Sequence, residues 1–153
     1  MNDDGCPRIY LDANIFIYVV EGHPTLRRPL EQLMEGIQTG TIQALTSELT
    51  LAEVLVKPLS QPERHYVTEY RLLLSGRPDL PVMPVTREVL EKSAELRASI
   101  GGKLADAIHV ATAVIANCTH ILTDDERIKV PPHLLPVKVV DIPSLLKIEP
   151  SQP

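Results

Sequence analysis

Tryptophan is absent from this chain and phenylalanine occurs once in 153 residues. An aromatic stacking platform for single-stranded nucleic acid is therefore poorly supported. Cysteine is scarce as well: Cys6 and Cys118 are the only two, with no ligand-like clustering. They make neither a disulfide framework nor a zinc site, and they fit a reducing, cytosolic setting. No apolar run approaches the length of a membrane span, and the opening "MNDDGCPR" has no positive segment feeding an apolar stretch. Neither a signal peptide nor a transmembrane helix is expected. Positive charge is also in deficit, with 15 Lys and Arg against 20 Asp and Glu and a formal net charge of -5. A general nucleic-acid sleeve, which rests on many phosphate contacts, is disfavoured. An enzyme acting on nucleic acid with its acids gathered around metal is not.

What is present reads as one domain, residues 8–146, with a short N-terminal extension, 1–7, and a loose, flexible tail, "KIEPSQP", at 147–153. Apolar runs at "RIYLD" from residue 8, "IQALT" from 42, "VMPV" from 82, "THILT" from 119 and "VKVV" from 137 read as short strands. Between them lie helical patterns at 29–40, 47–56, 62–76, 86–99 and 103–117. In the first of these, Leu30, Leu33, Met34 and Ile37 form one stripe, which Gly40 can end. Strands alternating with helices predict an α/β fold whose parallel sheet is covered on both faces. Such sheets bind ligands beyond the carboxyl ends of their strands.

Asp12 stands at such an end, and "ILTDDER" repeats the arrangement with Thr123, Asp124 and Asp125. Glu53 interrupts the apolar run "LTLAEVLV", and Asp106 interrupts "KLADAIHVATAVIA". Each acid has a plainer role open to it: Asp12 as a helix cap, Asp124 or Asp125 as a turn residue, Glu53 as a solvated helix edge, Asp106 at a helix N-terminus. Together they place two acids after strands and two on helices able to pack over the strand ends. Clustered carboxylates repel unless a cation lies among them. Oxygen donors favour a hard ion, so Mg²⁺ is expected, with Mn²⁺ able to substitute. His23, His65, His109, His120 and His133 show no zinc-site spacing; His109, three residues after Asp106, is assigned to packing or hydrogen bonding.

In "YLDANIFIY", "TSELTLAEVLVKP", "LADAIHVATA" and "ILTDDERI", taken in order, the chain resembles the PIN-domain family, and within it the VapC-type toxins. The resemblance runs from about Arg8 to Ile142. It implies a three-layer PIN fold and a metal-dependent endoribonuclease, the toxin of a type II toxin-antitoxin pair, leaving 5′-phosphate and 3′-hydroxyl ends. Asp12, Glu53, Asp106 and Asp125 correspond to the family's catalytic and metal-binding acids. Asn14, Ser47 and Thr123 match its supporting polar positions. Asp124 stands where the family commonly has Asn, which adds it as a further candidate metal ligand. RNA, a second copy of the chain and a cognate antitoxin are the partners implied. Arg8, Lys57, Arg64, Arg97, Lys103, Arg127 and Lys129 are candidates for a basic rim that positions phosphates. The alternative is a PIN module that binds RNA or protein without cleaving. The first turn, Asp12-Ala13-Asn14, lacks the glycines of a dinucleotide enzyme and the second Asp of a haloacid-dehalogenase-like phosphatase.

Overall fold

The computed structural model describes residues 5–146. The tail at 147–153 and residues 1–4 of the N-terminal extension lie outside the described residues. The sheet is built from β1 (Arg8–Leu11), β2 (Gln43–Ser47), β3 (Val82–Met83), β4 (His120–Leu122) and β5 (Leu135–Val137) in the order β3-β2-β1-β4-β5, every pairing parallel. Tyr10 stands opposite Leu45 on one side and Ile121 on the other.

Strand periodicity sorts these residues between two cores. Ile9, Leu11, Ala44 and Leu122 pack with α1 (Ala13–Glu21) and α2 (Arg27–Thr39). Tyr10, Leu45 and Ile121 point the other way, onto Val110 and Ala113 of α7 (Leu104–Ile115), with Leu96 of α6 (Arg87–Ile100) against the same cluster. Burial on both faces is why the central strands read as unbroken apolar runs. The chain between β2 and β3 forms α3 (Glu48–Val54), α4 (Val56–Ser60) and α5 (Val67–Leu73); α8 (Ile142–Leu146) closes the described chain against α2. Among the described residues, no single helix is long and apolar enough to cross a membrane.

The strand order sets the site. From β1 the chain builds outward through β2 to β3, then returns to add β4 and β5 on the other side of β1. The order reverses between β1 and β4, and at such a switch point the connections leave in opposite directions and open a crevice at the carboxyl ends. Asp12 follows β1 there, and Thr123 to Asp125 follow β4.

Several boundaries differ from those expected. The last strand is Leu135–Val137, not the run from 137 to 140; Val139–Asp141 is a 3₁₀ turn. The Val139 N–H bonds Asp124 Oδ1 at 3.1 Å, which draws the backbone out of the ladder. Pro136 is tolerated because β5 is the edge strand among the described residues, with no further neighbour there to receive its missing N–H. The run at 82 keeps only Val82–Met83 before Pro84. The helix expected from residue 62 begins at Val67, because Arg64 and Tyr66 take φ of 49° and 72°, outside the helical region. The helix expected at 47–56 divides at Leu55 and carries on as α4, where Pro58 lies in the first turn and needs no N–H.

Ile121 is 0 % exposed in a central strand. Ile121→Ala is expected to lower unfolding free energy by about 2–5 kcal/mol, read as a reduced urea midpoint at unchanged slope.

Candidate active site

Asp12 joins two strands and a helix. Its N–H continues the ladder to Leu122 O at 3.0 Å, and its side chain turns back as the N-cap of α1, with Oδ1 accepting from Ala13 N at 2.8 Å. Oδ2 accepts from the Thr123 hydroxyl at 2.7 Å. The residue is 8 % exposed, so these donors replace water around a buried carboxylate. Thr123 Oγ1 also accepts from Asp125 N at 3.1 Å, so one hydroxyl couples the acids after β1 and β4.

Asp106 lies in the first turn of α7, where the helix N-terminus favours negative charge. Burial nevertheless raises its carboxyl above the usual carboxylate range, and the charges of Asp125 and Asp12 push it the same way. Asp125 is held below that range by Arg127, whose N–H and guanidinium both bond Oδ1, at 3.0 and 3.2 Å. Asp124 is turned elsewhere: its Oδ1 caps Val139 N. Beside Asp125 lies a hollow of about 270 Å³ lined by Thr123, Ile128 and Lys138 among others. A larger groove of about 520 Å³, lined by Tyr18, His23, Leu30 and Met34, includes none of these acids.

Glu53, in the last turn of α3, reaches the same region from above β2. Its Oε1 meets His109 Nε2, and His109 Nδ1 meets the Tyr10 hydroxyl. His109 Nε2 is also 3.9 Å from Asp12 Oδ1. Beneath this chain Thr46 Oγ1 donates to Leu11 O at 2.8 Å and pairs with Thr50 Oγ1 at 2.7 Å. Ser47 is the buried N-cap of α3, accepting from Leu49 N at 3.0 Å. Asn14 is half-buried in the first turn of α1. No sequence signal singles out Tyr10; the clue is a phenol in an otherwise aliphatic buried strand, since a buried O–H requires a partner.

The donor chemistry fits a hard divalent cation: every candidate atom is a carboxylate oxygen, and Asp106 feels the charges of Asp12 and Asp125. Among the described residues, however, no three His, Cys, Asp or Glu side chains close into a ready-made ion cage. Glu53 leans on His109, and Asp125 leans on Arg127.

Four of the basic residues gather on one flank. Lys103 faces Asp106 and Asp125, Arg127 pairs with Asp125, Arg97 Nε donates to Gly102 O at 3.2 Å, and the Lys129 stem lies alongside Gly102. Arg8 does not join them. It opens β1 while Asp12 follows the strand's other end, about 13 Å along an extended chain. Lys57 pairs with Glu21 at 3.6 Å, at the far end of α1 from Asp12.

A family model of the PIN domain matches residues 9–134. The chain belongs to the PIN domain family. Its fold is shared with solved toxin-antitoxin proteins. A chain of a toxin-antitoxin complex from Klebsiella pneumoniae is 25 % identical, with a TM-score of 0.63 over 83 % of this chain and 95 % of that one. VapBC2 from Rickettsia felis, bound to a DNA fragment from its promoter, gives 16 % and 0.64 over 86 % and 98 %. VapC20 from Mycobacterium tuberculosis, a toxin that cleaves the sarcin-ricin loop, gives 12 % and 0.58 over 74 % and 86 %. A search of curated proteins finds no match. In this PIN domain the acids at the switch point are Asp12 and the pair after Thr123, with Asp106 and Glu53 brought over them by α7 and α3.

Asp106 takes up a proton more readily folded than unfolded, so its ionised form destabilises the fold at neutral pH. Asp106→Asn in EDTA is expected to raise Tm by about 2 °C near neutral pH. The gain shrinks as pH falls through the raised carboxyl value and vanishes below the ordinary one; melts at stepped pH measure it. Asp124→Ala leaves the buried Val139 N–H without its acceptor and is expected to cost about 1–3 kcal/mol in urea unfolding. Asp124→Asn keeps an acceptor and should lie near wild type.

Proposed function

We propose that this PIN domain is a metal-dependent endoribonuclease and the toxin of a type II toxin-antitoxin pair, working in a reducing cytoplasm. The observation that carries this reading is the convergence of Asp12, Asp106 and Asp125 at the switch point of the sheet, where the charges of Asp125 and Asp12 add to the burial that raises the Asp106 carboxyl. Asp12 and Asp106 would hold Mg²⁺, or Mn²⁺ in its place, with Glu53 and Asp125 completing the set directly or through water. Such an ion supplies a water of lowered pKa and relieves charge on the phosphate oxygens.

The chain's own residues do the positioning. The Ala13 N–H and the Thr123 hydroxyl fix both Asp12 oxygens, so the carboxylate meets the site in one orientation. Thr123 carries that order to the Asp125 backbone. Lys103, Arg127, Lys129 and Arg97 form a cationic flank beside the acids, which offers the RNA backbone a way into an acidic centre. Hydrolysis by in-line attack of water would leave 5′-phosphate and 3′-hydroxyl ends. A homodimer and a cognate antitoxin are the protein partners in this reading; similarity to toxin-antitoxin complexes supports it, and exposed Val56, Leu59 and Leu72 are apolar surface open to a partner. The second reading, a PIN module that binds without cutting, is favoured by the open arrangement of the acids among the described residues.

The test incubates purified, antitoxin-free protein and Asp12→Asn with mixed cellular RNA and a matched DNA pool, in Mg²⁺, Mn²⁺ or EDTA, and sequences the product ends. Metal-dependent cuts at a few RNA sites are expected, with a loss on the order of 100-fold in Asp12→Asn, the scale of removing one electrostatic stabiliser. Equal cutting by the variant, or cutting in EDTA, would overturn the assignment; folded protein that binds RNA without cutting it supports the second reading. Lys103→Ala is expected to weaken RNA binding and flatten the salt dependence of log K by about 1, read by binding titrations across salt.

A further inference from the structure

Glu53 is the least constrained of the acids by its own helix. It sits in the last turn of the seven-residue α3 with 38 % of its side chain exposed. A long, partly exposed side chain loses entropy when held in one rotamer. Its hydrogen-bond partner among the described residues is His109, which is 1 % exposed and comes from α7. The imidazole is in turn gripped at Nδ1 by Tyr10, 0 % exposed on β1, their rings tilted at 60° with centroids 5.6 Å apart.

Resting on the nuclease reading above, we propose that His109 is the positioning residue of the site: seated on the Tyr10 hydroxyl, its imidazole holds the Glu53 carboxylate at the strand ends. For the neutral ring, donor and acceptor rules fix the tautomer. A carboxylate only accepts, so Nε2 must carry the proton that faces Glu53; Nδ1 of the neutral ring is then an acceptor, and the Tyr10 O–H donates to it. Burial keeps that phenol protonated and able to donate. The bond uses one oxygen of Glu53 and leaves the other for a ligand, the usual way an outer residue orients a ligating carboxylate. Asp12 Oδ1 stands 3.9 Å from the same Nε2, already supplied by Ala13 N. The ring therefore spaces Asp12 from Glu53 while bonding to Glu53. Both nitrogens of a buried histidine need partners; what points to positioning is that the partner at Nε2 is a candidate ligand carboxylate brought in by a different helix.

Two measurements on the full chain test this. In metal-free protein, ¹⁵N-edited spectra of the histidine rings should show His109 as the Nε2–H tautomer with a proton slow to exchange, and Glu53→Ala should abolish that protection. An Nε2 without a proton, or protection unchanged in Glu53→Ala, overturns the proposal whether or not the protein cleaves RNA. The second measurement titrates Mn²⁺ alone into wild type, His109→Ala and His109→Gln, each first checked for a cooperative melt. Mn²⁺ affinity is expected to fall about 10- to 100-fold in His109→Ala and to recover in His109→Gln, whose amide N–H can replace Nε2–H. Unchanged affinity in folded His109→Ala also overturns it. Wild type that shows the protected Nε2–H but neither binds Mn²⁺ nor cuts RNA would instead remove the nuclease reading and leave His109 as the support of Glu53.

Discussion

Asp12 cannot leave the end of β1 without breaking its ladder bond to Leu122, its cap on Ala13 and its bond from Thr123. These tie the first strand to the first helix and to the strand on the other side of the switch point. A buried carboxylate is tolerable only where donors meet it, and here the donors are the fold's own connections. Strand pairing between β1 and β4 and the entry angle of α1 thus depend on the residue that also opens the site.

From that anchor the remaining acids are brought in by elements that have other reasons to be where they are. α7 is pinned to the sheet by Val110 and Ala113, both 0 % exposed, and so delivers Asp106 in its first turn and His109 one turn later. α3 starts at its Ser47 cap and carries Glu53 to its last turn. The result is an electrostatically uneven place: Asp106 is raised by burial and like charge, while Asp125, a few residues past β4, is lowered by Arg127. Opposite shifts in neighbouring carboxyls follow from what each touches. Cations on the α6–α7 connection and the loop after β4 balance the acids on one flank.

Much of this could be read along the chain. Alternation of strand and helix patterns predicts a parallel sheet covered on both faces, and the central strands, buried on both sides, carry that signal most clearly. Asp12, Asp106 and the pair after Thr123 stand out because a charge in an apolar run is expensive unless something meets it. Boundaries were less legible where a distant side chain or an unusual backbone angle intervenes: β5 stops at Val137 because Asp124 takes the Val139 amide, and α5 starts late because Arg64 and Tyr66 adopt positive φ. Arg8 lies in the sequence beside the Asp12 motif, yet the strand itself carries it to the opposite end of β1 from the acids.

Sequence by itself determined the class of fold, because periodicity is a property of neighbours along the chain, and the family, through the resemblance of its motifs; misplaced charges marked the acids as candidates. Tertiary structure alone decided how those acids are held. Thr123 reaches Asp12 across 111 residues, Tyr10 reaches His109 across 99, and His109 reaches Glu53 across 56. Hydrogen bonds last only over about 3 Å and within a narrow angle, so no spacing along the chain encodes which of several polar groups will meet. That choice is made when the helices settle onto the two faces of the sheet.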